Sequence, residues 1–420
     1  MNEDDIRNKV LKCFSCVKSP CQKGCPLNND IKGFIKLTKE EKYKEAFLLL
    51  SETTVLPSVC GRVCPHSKQC EGKCVRGIIK DSRAVEIGKI EAFIGDMALK
   101  NDWTINSLPL KNKKVAVVGG GPSGLTCATF LRKNGYNVTI YEKHNYLGGL
   151  LYHGIPQFRL GKKLLRKVID KILELGIDVR LNQSIGKDFS LEDLENEYDA
   201  VFLGFGANLS SKMNIPGEDL NGVYGGNELL ENNNHPDYEG KVVVVSGGGD
   251  VAMDVARTIK RKNAKKVYVI YRRSEKESPA LENEIRKAKE EGVEFLFKNN
   301  ILGIYGNDRV EKVEVIKTEL VKKEGDDRLS PVNIEKSNYY LSCDYVVMAI
   351  GSHPESSIVN SLGLVLDKRG RILIDKDGHT SKEKVFAGGD LAGTKSTVAF
   401  ASRAGRDAAY AIMKYLENSV

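Results

Sequence analysis

The chain repeats itself once. KKVAVVGGGPSGLTCATFLRKNGYNVTIYEK, residues 113–143, returns as GKVVVVSGGGDVAMDVARTIKRKNAKKVYVIYRR, residues 240–273. Each copy reads as an apolar strand, a glycine-rich turn, a helix and a second apolar strand. Glycines without side chains let backbone approach a phosphate, and the amides of the helix that follows face it. Two such copies imply an α/β fold carrying two Rossmann-like dinucleotide-binding domains.

The first copy supplies G-x-G-x-x-G through Gly119, Gly121 and Gly124, with Ser123 opening the helix. Glu142 ends the next strand, where a carboxylate can accept hydrogen bonds from ribose hydroxyls. The second copy has Gly247, Gly249 and Ala252, with Asp250 and Val251 at the helix start, and carries Arg272 and Arg273 where the first has Glu142. A carboxylate repels a 2′-phosphate, whereas guanidinium groups bind it bidentately, so this site is expected to take NADPH rather than NADH. Lys276 adds charge nearby. The competing reading is of two surface arginines at a strand end.

Eight of the 10 cysteines precede residue 75. They form C-x2-C-x4-C-x3-C-P (Cys13, Cys16, Cys21, Cys25) and C-x3-C-P-x4-C-x3-C (Cys60, Cys64, Cys70, Cys74). Disulfides do not suit a reducing compartment, and structural zinc favours symmetric C-x2-C pairs. Two 4Fe-4S clusters fit best, since thiolates are their usual ligands and a closing C-x3-C-P occurs in two-cluster ferredoxins. The rest of residues 1–111 reads as short helices, over 31–37, 41–50 and 84–99. Cys127, Cys343, His66, His144, His153 and Trp103 read as structural. The absence of a C-x-x-C in the second nucleotide unit argues against a thioredoxin reductase.

Composition narrows the class further. A net charge of +8 without basic runs interleaved with aromatics gives no reason to expect nucleic acid. No apolar run reaches the roughly 18 residues of a membrane helix, and the opening MNEDDIRNKV is unlike a secretory signal. A cytoplasmic location is expected. The stretch 322–328, KKEGDDR, reads as a hairpin tip.

The segment VFAGGDLAGTKSTVAFASRAGRDAA, residues 385–409, resembles the closing motif of flavoproteins of the glutathione-reductase type. That resemblance implies FAD in the first site, with Gly389 and Asp390 on its ribityl or phosphate side and the helix from Thr397 and Val398 pointing at the flavin. Gly149 and Leu150 of YLGGL match the pattern for FAD, and Ala349, Ile350 and Gly351 match it for the nicotinamide nucleotide. CGRVCPHSKQCEGKC (60–74), AVEIGKIEAFIGD (84–96), GGLLYHGIPQFRL (148–160) and YRRSEKESPALENEIRKAKEEGVEF (271–295) make nearly the whole chain similar to the small subunits of NADPH-dependent glutamate synthase. The same module resembles the N-terminal part of dihydropyrimidine dehydrogenase and the large subunit of the bifurcating NADH-dependent ferredoxin:NADP oxidoreductase.

The resemblance implies a domain order: an all-α iron–sulfur domain over 1–111, an FAD domain over 112–207 and 350–420, and an NADPH domain inserted at 208–349. It also implies interleaved ligands: Cys13, Cys16, Cys21 and Cys74 for one cluster, and Cys25, Cys64, Cys70 and Glu91 for the other, with Cys60 the alternative to Glu91. Arg159 is placed beside the flavin, and no residue acts as a catalytic acid or base. The expected activity is electron input from NADPH through FAD and the clusters to a large glutamate-forming subunit, or to another electron-accepting flavoprotein or ferredoxin. The bifurcating subunit, a pyrimidine reductase flavin subunit and a non-enzymatic redox sensor are the alternatives.

Overall fold

The computed structural model describes residues 3–79, 82–232, 234–322 and 329–418. It forms two compact units, one of residues 1–152, 157–207 and 354–420, the other of 153–156 and 208–353.

The first unit begins with helices Glu3–Val10, Pro20–Gly24, Ile31–Lys39, Tyr43–Leu50, Pro57–Val63 and Ile87–Lys100. Asp30 caps the third by accepting from Gly33 N, and Ile31, Phe34, Ile35 and Thr38 form its buried stripe. These helices close on a core containing Ile6, Phe34, Leu50, Ile90 and Ile94. Two helices start later than the periodicity suggests. Glu41 sits at φ 60°, which breaks the run before Tyr43, and Ile87 N turns back to Val85 O just before the sixth helix.

A five-stranded parallel sheet follows in the order Val385–Ala387, Ala200–Leu203, Lys114–Val118, Asn137–Glu142, Asp178–Leu181. The strand Val385–Ala387 comes from beyond the insert, so this sheet is completed only when the chain returns. Helix Pro122–Lys133 is crossed by the long final helix Val398–Asn418. The crossing is close enough that a Cβ on Gly405 would meet Ser123 O at 2.0 Å and Cys127 N at 3.1 Å. From the same long helix Arg406 Nη1 donates to Leu27 O at 2.7 Å, in the loop between helices Pro20–Gly24 and Ile31–Lys39.

The second unit has its own parallel sheet, in the order Val223–Gly225, Tyr345–Met348, Val242–Ser246, Lys266–Tyr271, Glu294–Phe297. Antiparallel strands Asn299–Tyr305, Lys312–Val321, Ser330–Asn333 and Tyr339–Ser342 extend it in sequence. Residues 323–328 of the expected hairpin tip lie outside the described residues. The sequence reading ends the insert at 349, whereas Ser352–His353 pairs with Leu209–Ser210, and the unit runs to His353. Among the described residues no helix is long and apolar enough to cross a membrane.

The helix crossing yields a stability test. Gly405→Ala places a methyl group against backbone that has no flexible end to move, and is expected to cost about 1–3 kcal/mol. Gly161→Ala, where a Cβ meets nothing within 4 Å, is the matched control. Thermal unfolding should show a lowered Tm for the first and little change for the second.

Candidate redox site

The first dinucleotide turn is built by backbone proximity. Gly119 has φ 102°, and a Cβ there would lie 2.6 Å from Phe205 Cα. Gly121 and Gly149 face each other, a Cβ on Gly149 reaching Gly121 Cα at 2.8 Å. Gly149 itself is at φ 51°, just before the short helix Leu150–His153. Glu142 is buried and accepts from Gly120 N at 2.8 Å and from His144 N at 3.0 Å. The carboxylate therefore braces the glycine loop, a role that its place at the strand end did not suggest.

The closing motif comes to the same place. Gly389, at φ 73°, would put a Cβ 3.2 Å from Ser123 Cβ. Ser123 Oγ, Asp390 Oδ1 and Thr394 Oγ1 are buried without a hydrogen-bond partner, and Thr394 N donates to Gly389 O at 3.2 Å. Burial raises the Asp390 carboxyl above its ordinary range, against a lowering bond from Ser396. Buried polar atoms are normally paired, so this group fits a polar ligand such as a dinucleotide. Thr397 immediately precedes the long helix from Val398, and Phe400 N donates to Thr397 Oγ1 at 3.4 Å. Arg159 is half-buried on the segment after Leu150–His153.

In the second turn Gly247 has φ 140°, and a Cβ would collide with Ala349 O at 2.2 Å, which brings the 349–351 segment against the glycines. Gly249 faces open space apart from Pro279 Cγ at 3.9 Å, leaving the helix N-terminus approachable. Asp250 Oδ1 is engaged by Leu281 N at 3.1 Å, and Ala252 is buried. Val251 and Ile350 are exposed, and Gly351 lies at φ 141°. Arg272 and Lys276 are exposed at the strand end, while Arg273 Nε donates to Leu329 O at 3.1 Å.

The thiols separate into two groups that cross the two sequence runs. Cys13, Cys16, Cys21 and Cys74 line one pocket with Pro20, Ile31 and Val85. Burial pushes the Cys21 thiol up to about 11, with the Cys74 and Cys13 thiols adding to it. Cys25, Cys64, Cys70 and Glu91 act on one another in a second group. Burial, reinforced by Glu91, raises Cys25 to about 11 and Cys70 far above its ordinary value. Cys64 is raised by a bond shared with Cys60 and by burial. Burial raises the Glu91 carboxyl to about 8, opposed by the Asn29 amide at 3.4 Å.

A metal cation bound by Cys21, Cys25, Cys64, Cys70 and Glu91 would displace the protons that their surroundings hold on them, and thiols gathered with a carboxyl in this way fit a positively charged metal centre. Cys60 is buried against Thr54 Oγ1 at 4.0 Å and stands beside this second group. Among the described residues no three His, Cys, Asp or Glu side chains converge as they would on a single ion. Four thiolates bound one to each iron of a 4Fe-4S cluster would stand farther apart than four on a single ion. Asn29 carries no sequence motif, and Thr394 and Arg406 lie within the closing segment 385–409 without being marked by its spacing; tertiary contacts give all three their places.

Three variants test the assignments. Glu91→Ala is expected to change the electron paramagnetic resonance signal of one cluster and spare the other, whereas Cys60→Ser should leave both signals in place. Removing both guanidiniums in Arg272→Ala/Arg273→Ala should raise the KM for NADPH at least about tenfold, equivalent to about 1.4 kcal/mol, with little effect on NADH.

Residues 113–408 match the family of pyridine nucleotide-disulphide oxidoreductases. Residues 1–103 match the 4Fe-4S domain II of dihydropyrimidine dehydrogenase. The glutamate synthase [NADPH] small chain of Escherichia coli is 38% identical over 99% of this chain and 92% of that one. The small chain from Azospirillum brasilense is 34% identical over 99% and 90%. The NADPH-Fe(3+) oxidoreductase subunit beta of Geobacter sulfurreducens is 37% identical, over 95% of this chain and 64% of its own length. Among solved structures, FprA of Mycobacterium tuberculosis in complex with NADPH shares the fold, with TM-score 0.66 and 20% identity over 74% of this chain and 86% of that one. The chain therefore belongs to the pyridine nucleotide-disulphide oxidoreductases, in the branch of the glutamate synthase small chains, and is an FAD- and NADPH-dependent oxidoreductase with an N-terminal 4Fe-4S domain.

Proposed function

We propose that this chain is the electron-input subunit of a glutamate synthase. NADPH gives up a hydride, and its two electrons leave the chain singly for a large subunit that forms L-glutamate. The overall reaction is L-glutamine, 2-oxoglutarate, NADPH and a proton to two L-glutamate and NADP+. The observation that carries this reading is the end-to-end likeness to the small chains, which spans 92% of the Escherichia coli protein.

Arg272, Arg273 and Lys276 hold the 2′-phosphate of NADPH, whose pyrophosphate meets the amides after Gly247 and Gly249. Gly119, Gly121, Gly124, Ser123, Gly149 and Leu150 receive FAD, with Asp390, Thr397 and Val398 towards its flavin half and Arg159 beside it. Glu142 keeps the loop open while offering its remaining lone pairs to the ribose. Bound FAD supplies the conversion of a two-electron hydride into single electrons. Cys13, Cys16, Cys21 and Cys74 hold one cluster, and Cys25, Cys64, Cys70 and Glu91 the other. The residues position and dry the cofactors, and none acts as acid or base. Ten free cysteines suit the reducing cytoplasm.

Anaerobic isolation of the chain from its native cells, with mass spectrometry of what stays bound, tests the partner. A large amidotransferase subunit is the expected result. A small flavin and iron–sulfur subunit, or a pyrimidine-binding one, would overturn the glutamate synthase reading.

A further inference from the structure

The pocket of Cys13, Cys16, Cys21 and Cys74 opens on an unusual surface. Leu11, Phe14 and Val17 flank its first two cysteines and are 62%, 53% and 93% exposed. On the other side, Ile78 and Ile79 follow Cys74 and are 79% and 48% exposed. The two segments meet. Phe14, Val75 and Arg76 line the same pocket, the Arg76 guanidinium lies 5.5 Å from the Phe14 ring centre, and Lys73 packs where a Cβ on Gly24 would stand. Large apolar side chains left in water as a group mark a protein-binding surface rather than ordinary scatter.

Charge says what kind of protein fits. Residues 11–25 and 73–79 contain Lys12, Lys18, Lys23, Lys73 and Arg76 and no acidic residue. Of the carboxylates that flank these segments, Asp30 accepts from Gly33 N at 2.9 Å and Glu71 from Gly88 N at 3.0 Å, and Asp81 lies outside the described residues. An apolar centre ringed by cations is complementary to an apolar patch ringed by carboxylates. The second thiol group lies deeper. Cys64, Cys70 and Glu91 are buried and Cys25 is half-buried, and the helix Pro57–Val63, which carries Cys60, packs on Val398–Asn418. The four thiols of the first group are only half-buried.

We infer that the surface of Leu11, Phe14, Val17, Ile78 and Ile79, with its five cations, is where an electron-accepting protein with an acidic docking face binds to collect electrons from this chain. The inference rests on the reading that Cys13, Cys16, Cys21 and Cys74 hold a cluster, and it names the side of the molecule at which electrons leave. For each NADPH oxidised to NADP+ with release of one proton, two single-electron acceptors are reduced at this face.

The test uses the holoenzyme, charged with flavin and iron, and two small haem acceptors of opposite charge: the acidic soluble domain of cytochrome b5 and the basic cytochrome c. Binding is read by sedimentation without NADPH, and reduction by haem absorbance with it. The acidic haem protein is expected to bind more tightly, and raised salt should weaken that binding steeply. Val17→Glu/Ile78→Glu and Lys12→Glu/Lys18→Glu/Lys23→Glu should each weaken it at least about tenfold, and the lysine reversal should strengthen binding of the basic one. Cluster signals and NADPH-driven reduction of a small neutral dye stay unchanged in the variants, which separates a docking defect from lost cofactor. Binding of the acidic protein that the substitutions leave within about twofold would overturn the inference, as would an intact holoenzyme that binds neither haem protein selectively. Neither result depends on which large subunit the chain serves, so failure here is distinct from failure of the glutamate synthase reading.

Discussion

The long helix Val398–Asn418 holds the cysteine-bearing helices and the first dinucleotide turn in one compact unit. Its first residues follow the Asp390 turn, its middle presses on Pro122–Lys133 through Gly405, and its Arg406 reaches the carbonyl of Leu27, two residues beyond Cys25. At 1.5 Å per residue, Thr397 and Arg406 are separated by about 14 Å along the helix axis. One rigid element thus fixes the spacing between the proposed flavin site and the nearer thiol group. A flexible connection would leave electron transfer to chance encounters.

Burial of the thiols is the second determinant. The hydrogen bond to Cys60 and burial hold Cys64 strongly protonated, and burial does the same to Cys70 and pushes Glu91 to about 8. The neutral thiols tolerate the core, whereas thiolates there would need a cation beside them. Metal binding at this group would therefore be coupled to proton release, and Asn29, just ahead of the third helix, holds Glu91 from the side through its amide.

Much of this was legible in the sequence because the chemistry demands fixed spacings. The repeated glycine turns, the exchange of Glu142 for Arg272 and Arg273, and the two runs of cysteines all lie within short segments. The interleaving of the thiols was not legible from spacing, since Cys74 joins Cys13 and Cys21 only after the chain folds back on itself; family likeness had to supply it. Helix starts at Tyr43 and Ile87 moved inward because Glu41 and Val85 take turn conformations that periodicity does not register. Glu142 was legible as a carboxylate in the right place, but its bonds to Gly120 and His144 belong to a loop geometry that no spacing encodes.

In the proposed function two clusters held by crossed ligand sets stand beside a flavin that NADPH reduces. Iron, sulfide and flavin analysis of anaerobically purified chain, joined to electron paramagnetic resonance after reduction, tests it most directly. About eight iron atoms and eight sulfides for each FAD, with two interacting 4Fe-4S signals, are expected. Zinc in place of iron, or a single cluster's worth of iron in fully flavin-loaded protein, would contradict it.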